Sequence, residues 1–192
     1  GMPGVQVSTS MHFFDANNGI IGGQGSPQNF AEGNSRVAVT SDGGLTFVDV
    51  NWNWLVTSEK VFVDQVSTTT SFAAIDASLT NLSELYRTTD SGLTWDTLAI
   101  VTSVTNAELR MFDFIDELNG VAVFTNDVVD STYVYRTSDG GLTWVNDGTL
   151  SVGVPVDIEL TSNTGYISGT ESVFAKYTGG NLSIKNLPEN SI

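Results

Sequence analysis

An eight-residue pattern that occurs three times restricts the fold of this 192-residue chain more than any other feature. The three copies run from Thr40 to Phe47, from Thr88 to Trp95 and from Thr137 to Trp144. Each copy has an aspartate, a glycine and an aromatic residue at the same positions, and successive copies begin 48 and 49 residues apart. A repeat of this length is one supersecondary unit that buries its apolar face by stacking on its neighbours. We therefore expect the chain to be built from repeated structural units.

A second motif recurs in phase with the first and places another hairpin in each unit. Residues 14–20 (FDANNGI) reappear as residues 115–121 (IDELNGV), with a weaker copy at 160–166 (LTSNTGY). The second unit has only the Thr-rich segment 67–72 (STTTSF) at this place. Asn and Gly between two apolar runs are typical of a hairpin turn. Two hairpins in each unit predict four short strands.

Units of about 48 residues with four short strands are typical of the blades of a β-propeller. β-branched and aromatic residues dominate the runs, and no stretch shows a helical period. We expect an all-β fold, a β-propeller of about four four-stranded antiparallel blades in a single domain spanning 1–192. The expected blades are about 5–52, 53–102, 103–152 and 153–187. In the third blade the strands are expected at about Glu108–Ile115, Gly120–Asn126, Thr132–Thr137 and Leu142–Asn146.

The repeated pattern has a structural explanation at each of its positions. The aspartate can accept backbone N–H groups two residues ahead and close a turn, and the glycine adopts a conformation that larger residues resist. The threonine hydroxyl can bond across the turn, and the aromatic ring anchors the hairpin on its blade. The positions are Asp42, Gly44, Thr46, Phe47, Asp90, Gly92, Thr94, Trp95, Asp139, Gly141, Thr143 and Trp144.

The pattern S/T-x-D-x-G-x-T-W resembles the Asp-box, or bacterial neuraminidase repeat, of β-propellers. Proteins with this repeat include sialidases, sortilin-type receptors and photosystem II assembly/stability factor-like proteins. Combined with the motif Phe-x-Asp-x-x-x-Gly, the pattern is most similar to the photosystem II assembly factor-like group. The resemblance implies Asp-box hairpins in a propeller over nearly the whole chain. It implies little about function, because such propellers include enzymes, receptors and scaffolds.

Composition excludes several classes of function. Seven Lys and Arg against 22 Asp and Glu give a net charge of −15, which opposes binding to nucleic acid. The chain has no Cys and one His, so we expect neither a metal site nor a cofactor. No run of about 18 apolar residues is present, so no membrane span is expected.

An enzyme is the less favoured hypothesis. A sialidase-like site would need three converging arginines and a tyrosine assisted by a glutamate. Tyr86 lies near Glu84, a weak signal, and the chain offers only the arginines Arg36, Arg87, Arg110 and Arg136. We expect a non-catalytic protein- or glycan-binding or scaffold module. The alternatives are a sialidase-like glycoside hydrolase and a photosystem II assembly factor-like protein.

The candidate binding residues are three aromatic side chains. Trp52 and Trp54 would share one face of a strand, as a platform for a sugar or an extended peptide or as a staple between blades. Phe30 would be the apolar anchor of the connection at 23–35, which could form a rim with the connections at 76–83 and 126–131. The partner, protein or glycan, is not identified by the sequence.

Closure of the propeller has three solutions. The chain could close alone as four blades, form part of a longer propeller, or complete a ring with a second copy as a homo-oligomer. The acidic balance favours export to the periplasm, the cell surface or the medium. No signal peptide is recognisable, so any export signal is expected to lie outside this sequence.

Overall fold

A computed structural model describes residues 7–25, 34–50, 60–77, 82–99, 107–126, 129, 131–150, 154–161, 164–170, 174–178 and 181–183. Regular structure within these ranges is entirely β-strand, arranged as four four-stranded antiparallel sheets. The strands of each sheet are consecutive in the chain and adjacent in space. The predicted all-β class and the four strands in each repeat are therefore confirmed.

The chain divides into two compact units, residues 1–100 and 101–192, and each unit contains two sheets. The first unit contains β1 (Val7–Phe13), β2 (Gly19–Gly25), β3 (Asn34–Thr40) and β4 (Val48–Asp49), then β5 (Lys60–Gln65), β6 (Ser71–Ala77), β7 (Leu82–Thr88) and β8 (Asp96–Ala99). The second unit contains β9 (Glu108–Phe114), β10 (Gly120–Asn126), β11 (Ser131–Thr137) and β12 (Val145–Leu150), then β13 (Pro155–Thr161), β14 (Thr164–Gly169), β15 (Phe174–Thr178) and β16 (Asn181–Ser183). The single domain spanning 1–192 stays a prediction.

The third sheet shows where the predicted strand limits differ from the structure. Its first three strands lie within one residue of their expected ends, but β12 runs over Val145–Leu150 instead of Leu142–Asn146. Leu142 and Thr143 belong to the preceding turn, because the Asp139 carboxylate binds both the N–H and the hydroxyl of Thr143. The strand can begin only after these contacts end.

The turn between the first and second strands is closed by a short acceptor side chain. Asp15 Oδ1 accepts the backbone N–H groups of Asn17 at 2.7 Å and Asn18 at 2.8 Å, and Asp116 makes the equivalent contacts in the third sheet. These bonds, first that from Asn17, lower the pKa of Asp15. In the second sheet Ser67 Oγ replaces the carboxylate and accepts two backbone N–H groups. The Thr-rich segment therefore forms the same turn with weaker acceptors.

A close ring-on-glycine contact explains the Phe and Gly of the second motif. A Cβ atom at Gly19 would lie 2.7 Å from the Phe13 ring, and one at Gly120 would lie 2.6 Å from the Phe114 ring. Register pairing places Phe13 opposite Gly19 and Gln65 opposite Ser71 at the matching position of the second sheet. The second sheet therefore has no ring to accommodate, and a serine fits where the first and third sheets need glycine.

Each unit has a core formed between its two sheets. In the first unit Gly22 brings the sheets together, since a Cβ atom there would lie 2.7 Å from Val61 Cγ1. This core contains Ile20, Val37, Val50, Val61, Val63 and Ala73, with Val39 and Trp95 packed against it. The core of the second unit contains Met111, Val121, Val123, Val134, Ile158, Leu160 and Ile167, with Ile115 packed against it.

Candidate functional site

The three copies of the eight-residue pattern form nearly identical turns. Asp42 Oδ1 accepts the backbone N–H of Thr46 at 2.9 Å, and Oδ2 accepts the Thr46 hydroxyl at 2.6 Å. The Thr40 hydroxyl donates to the same carboxylate and accepts the N–H of Gly44 at 3.0 Å. The carboxylate thus binds a residue four positions ahead, not two as the pattern suggested. Asp90 and Asp139 make the same contacts in their own sheets.

These hydrogen bonds favour the ionised aspartates. The Thr46 hydroxyl and N–H lower the pKa of Asp42, and the corresponding donors of Thr143 lower the pKa of Asp139. At Asp90 the Thr94 hydroxyl and N–H lower the pKa to about 2. The three aspartates therefore stay ionised at a lower pH than an ordinary aspartate would.

The glycines and aromatic rings of the turns have separate roles. Gly44, Gly92 and Gly141 have φ values of +84°, +87° and +88°, in the left-handed region that favours glycine. The indole Nε1 of Trp95 donates to the Gly92 carbonyl at 3.1 Å, and Trp144 makes the same bond in its sheet. Phe47, in the first copy, has no group that could make this bond.

Each eight-residue turn is bound to the first-hairpin turn of its own sheet. The backbone N–H of Gly43 donates to the Asn17 carbonyl at 2.9 Å, and the equivalent N–H of Gly140 donates to Leu118 at 2.8 Å. In the second sheet Ser91 makes this bond to the Thr69 carbonyl. The two turns of a sheet therefore form one structure at the same end of that sheet.

A groove lies between these turns in the first unit. Its volume is about 190 Å³. The first sheet lines it with Asn18, Val39, Thr40, Ser41, Thr46 and Val48, and the second with Gln65, Thr68, Ser71, Ser91, Gly92 and Leu93. Val48 is 65% exposed and Leu93 is 83% exposed, so two apolar side chains flank hydroxyl and amide groups. We call this feature the inter-turn groove.

Gln65 is the most buried polar amide of the inter-turn groove. Only 6% of the residue is exposed, and its Oε1 accepts no hydrogen bond from the residues that the structure describes. Its Nε2 donates to the Ser67 carbonyl at 3.1 Å, and its backbone N–H donates to His12 Nδ1 at 2.8 Å. His12 Nδ1 also lies 2.5 Å from Asp64 Oδ1. This histidine of β1 therefore contacts two neighbouring residues of β5, the first strand of the second sheet.

Three arginines are paired with acids of their own sheets. Arg36 Nη1 lies 3.5 Å from Asp49 Oδ2. Burial raises the pKa of Asp49, and the positive charge of Arg36 opposes this rise. The other pairs are Arg110 with Glu108 at 3.2 Å and Arg136 with Asp147 at 3.6 Å. The Nε of Arg87 is buried and has no acceptor within the described ranges.

The Tyr86 hydroxyl donates to the Glu84 carboxylate, the pair that the sequence offered as a weak catalytic signal. Burial, followed by this hydrogen bond and the charge of Glu84, raises the pKa of Tyr86. The phenol therefore stays protonated at neutral pH.

The predicted binding aromatics lie outside the described residues. This holds for Trp52, Trp54 and Phe30 alike. Sequence reasoning missed Gln65 and Leu93, which the fold brings to one groove. A usable signal existed for Gln65, since the second repeat has Gln and Ser where the first and third have Phe and Gly.

Metal-binding clusters and membrane-spanning helices are both absent from the described part of the chain. There, no three His, Cys, Asp or Glu side chains are grouped in a way that could hold a metal ion. No helix that is long and apolar enough to cross a membrane occurs in those same ranges.

Known structures share this fold, although no protein-family model and no curated protein matches the chain. A structure of YCF48 bound to D1 peptide superposes with a TM-score of 0.65 at 18% identity, covering 96% of this chain and 56% of that one. The GH74 enzyme of Niastella koreensis gives 0.69 at 17% identity, covering 95% and 30%. The chain has the β-propeller fold.

A third similar structure is an α-L-arabinofuranosidase from Fusarium graminearum, with a TM-score of 0.57 at 14% identity, covering 98% of this chain and 67% of that one. The resemblance to a photosystem II assembly factor-like propeller is thereby confirmed at the level of fold. This β-propeller chain spans about half the length of the YCF48 structure and about a third of the GH74 enzyme.

Proposed function

We propose that this chain is a non-catalytic binding module that holds an extended segment of a partner protein in the inter-turn groove. The groove carries this proposal, because exposed Val48 and Leu93 line it together with hydroxyl and amide groups. A backbone bound there could exchange hydrogen bonds with the hydroxyls and pack an apolar side chain on Leu93. Binding sites combine apolar surface with polar groups that fix the orientation of the ligand, and the inter-turn groove offers both.

The pairing of the arginines supports binding without catalysis. Arg36, Arg110 and Arg136 each face an acid of their own sheet, which reduces the positive charge available to a sialidase-type carboxylate substrate.

Solved propellers supply precedents for both classes of function. YCF48 was solved with a D1 peptide, whereas the GH74 protein is an enzyme and the third structure is an α-L-arabinofuranosidase. A role like that of YCF48 is the specific form of the protein-binding proposal, and export remains part of it as an expectation from the acidic composition.

A peptide-display selection against the full chain tests the proposed function. Selected peptides should lose binding to Leu93→Ser and keep it with Leu142→Ser, because Leu142 holds the same place in the third sheet and does not line the groove. Failure to select any peptide, or equal binding to both variants, would contradict the proposal. Turnover of xyloglucan or arabinan oligosaccharides by the unmodified chain would favour the enzyme alternative.

A further inference from the structure

The second sheet departs from the repeat at the place where it lines the inter-turn groove. The first and third sheets have a phenylalanine ring packed on a glycine, Phe13 on Gly19 and Phe114 on Gly120. The second sheet has Gln65 and Ser71 at these positions, and both line the groove. The substitution therefore replaces an apolar contact with polar groups at the boundary of a site.

Gln65 presents an acceptor whose position is fixed. The bond from its Nε2 to the Ser67 carbonyl determines which end of the amide is oxygen, and the bond from its N–H to His12 fixes the backbone. Its Oε1 is buried and has no donor among the described residues, an arrangement that is rare in native structures. A ligand that brings an N–H donor would satisfy this oxygen.

Access to Oε1 requires movement of side chains. The atom is covered, so a donor reaches it only after the side chains that cover it move. Thr68 and Leu93 line the groove and are exposed, and exposed side chains change rotamer within picoseconds to nanoseconds.

Three aspartates adjoin residues that line the inter-turn groove. Asp15 binds the lining residue Asn18 at 2.8 Å, Asp42 follows Ser41 in the chain, and Asp90 precedes Ser91. None of the lining residues is Lys or Arg. Because the whole chain carries a net charge of −15, the field at the groove favours a cation.

The size of the groove restricts the ligand to part of a larger molecule. Its 190 Å³ falls below the roughly 300 Å³ at which pockets begin to hold a whole small ligand. A single long side chain is a better match for this volume.

We propose that the inter-turn groove binds a positively charged side chain, Lys or Arg, of an extended partner segment, with Gln65 Oε1 accepting one of its N–H groups. The aliphatic stem packs on Leu93 and Val48, and the three aspartates supply the electrostatic attraction. This assignment rests on the proposed function, because it names the kind of segment that the module holds.

Titration of the full ¹⁵N-labelled chain with three small probes tests the assignment. N-acetyl-arginine amide should shift the side-chain amide signal of Gln65 in a saturable way, and N-acetyl-norleucine amide should not. N-acetyl-citrulline amide, which keeps donors and lacks charge, should bind at least about tenfold more weakly than the arginine probe. Equal shifts for the arginine and norleucine probes would overturn the assignment.

Variants separate the acceptor from the surrounding charge. Gln65→Leu should weaken the arginine probe by about tenfold or more, and Gln65→Glu should retain its preference over norleucine. Asp90→Asn should weaken binding, whereas Asp139→Asn, an equivalent change away from the groove, should leave it unchanged. Equal affinity of the original chain and Gln65→Leu would contradict the role of Oε1.

The two proposals fail in different ways. If displayed peptides bind and depend on Leu93 but show no preference for Lys or Arg, the cation assignment is wrong and the proposed function stands. If no peptide is selected and the arginine probe leaves the Gln65 signal unshifted, both are wrong.

Discussion

At the scale of the residue, each turn depends on one carboxylate that serves three donors. Asp90 accepts the N–H and hydroxyl of Thr94 and the hydroxyl of Thr88. The sequence indicated that the aspartate closes the turn, because the residue recurs with Gly and Thr at fixed spacing. It could not indicate which donor is bound, since that depends on how the backbone curls between Asp90 and Thr94.

Acid should weaken these turns. The pKa of Asp90 falls from its ordinary 3.8 to about 2 on folding, so its ionised form stabilises the fold above pH 3.8. This contribution is lost progressively as the pH falls from 3.8 towards 2. The thermal midpoint should therefore decrease over that interval, and Asp90→Asn should show a smaller decrease than the unmodified chain. A parallel pH dependence in the two proteins would contradict this role of Asp90.

A comparison of Gly92 with Gly44 separates the cost of backbone strain from the cost of contact with the neighbouring sheet. Both have left-handed φ values, but a Cβ at Gly92 would lie 3.2 Å from Val39 of the first sheet, whereas one at Gly44 would lie 3.7 Å from its own Phe47. Gly44→Ala should lower the free energy of unfolding by about 1–2 kcal/mol from strain alone. Gly92→Ala should cost about 1 kcal/mol more, because Val39 must move. Urea titration measures both, and equal losses would show that the contact is unimportant.

At the scale of the element, the first strand and the start of the second are coupled. In the first and third sheets, a phenylalanine at the end of the first strand requires a glycine opposite it. In the second sheet, Gln65 lies opposite Ser71. The repeat made the hairpin predictable, but the reason for the Phe and Gly became visible only when register pairing placed them face to face. The same registers explain why the second sheet could change both residues and keep its turn.

A double exchange in the second sheet tests this coupling. Gln65→Phe should destabilise the chain, because the new ring meets the Ser71 side chain, and adding Ser71→Gly should recover stability. The coupling free energy of the cycle should be at least about 1 kcal/mol in urea unfolding. Additive effects of the two changes would mean that ring and Cβ do not meet.

At the scale of the whole molecule, the main electrostatic feature is the net charge of −15. Seven cations cannot pair with 22 acids, so unpaired negative charges repel each other in the folded chain. The three arginine–acid pairs described above relieve this repulsion only locally.

Added salt should therefore stabilise the molecule at neutral pH. Raising sodium chloride to about 0.5 M shortens the screening length and weakens the repulsion, so the thermal midpoint should rise. Differential scanning calorimetry at several salt concentrations measures this change. A falling midpoint would mean that attractive pairs outweigh repulsion.

The sequence by itself determined the all-β class, the four strands in each repeat and the places of the turns, because these follow from local spacing of Asp, Gly, Thr and aromatic residues. Only the tertiary structure showed the inter-turn groove. Gln65 and Leu93 are 28 positions apart in the chain, and no local pattern relates them to each other or to Val48. Gln65 and Leu93 come together because the two turns of the second sheet are joined by the bond from Ser91 N–H to the Thr69 carbonyl. Val48 meets them because the first two sheets pack through the core around Gly22, which brings the turns of neighbouring repeats side by side.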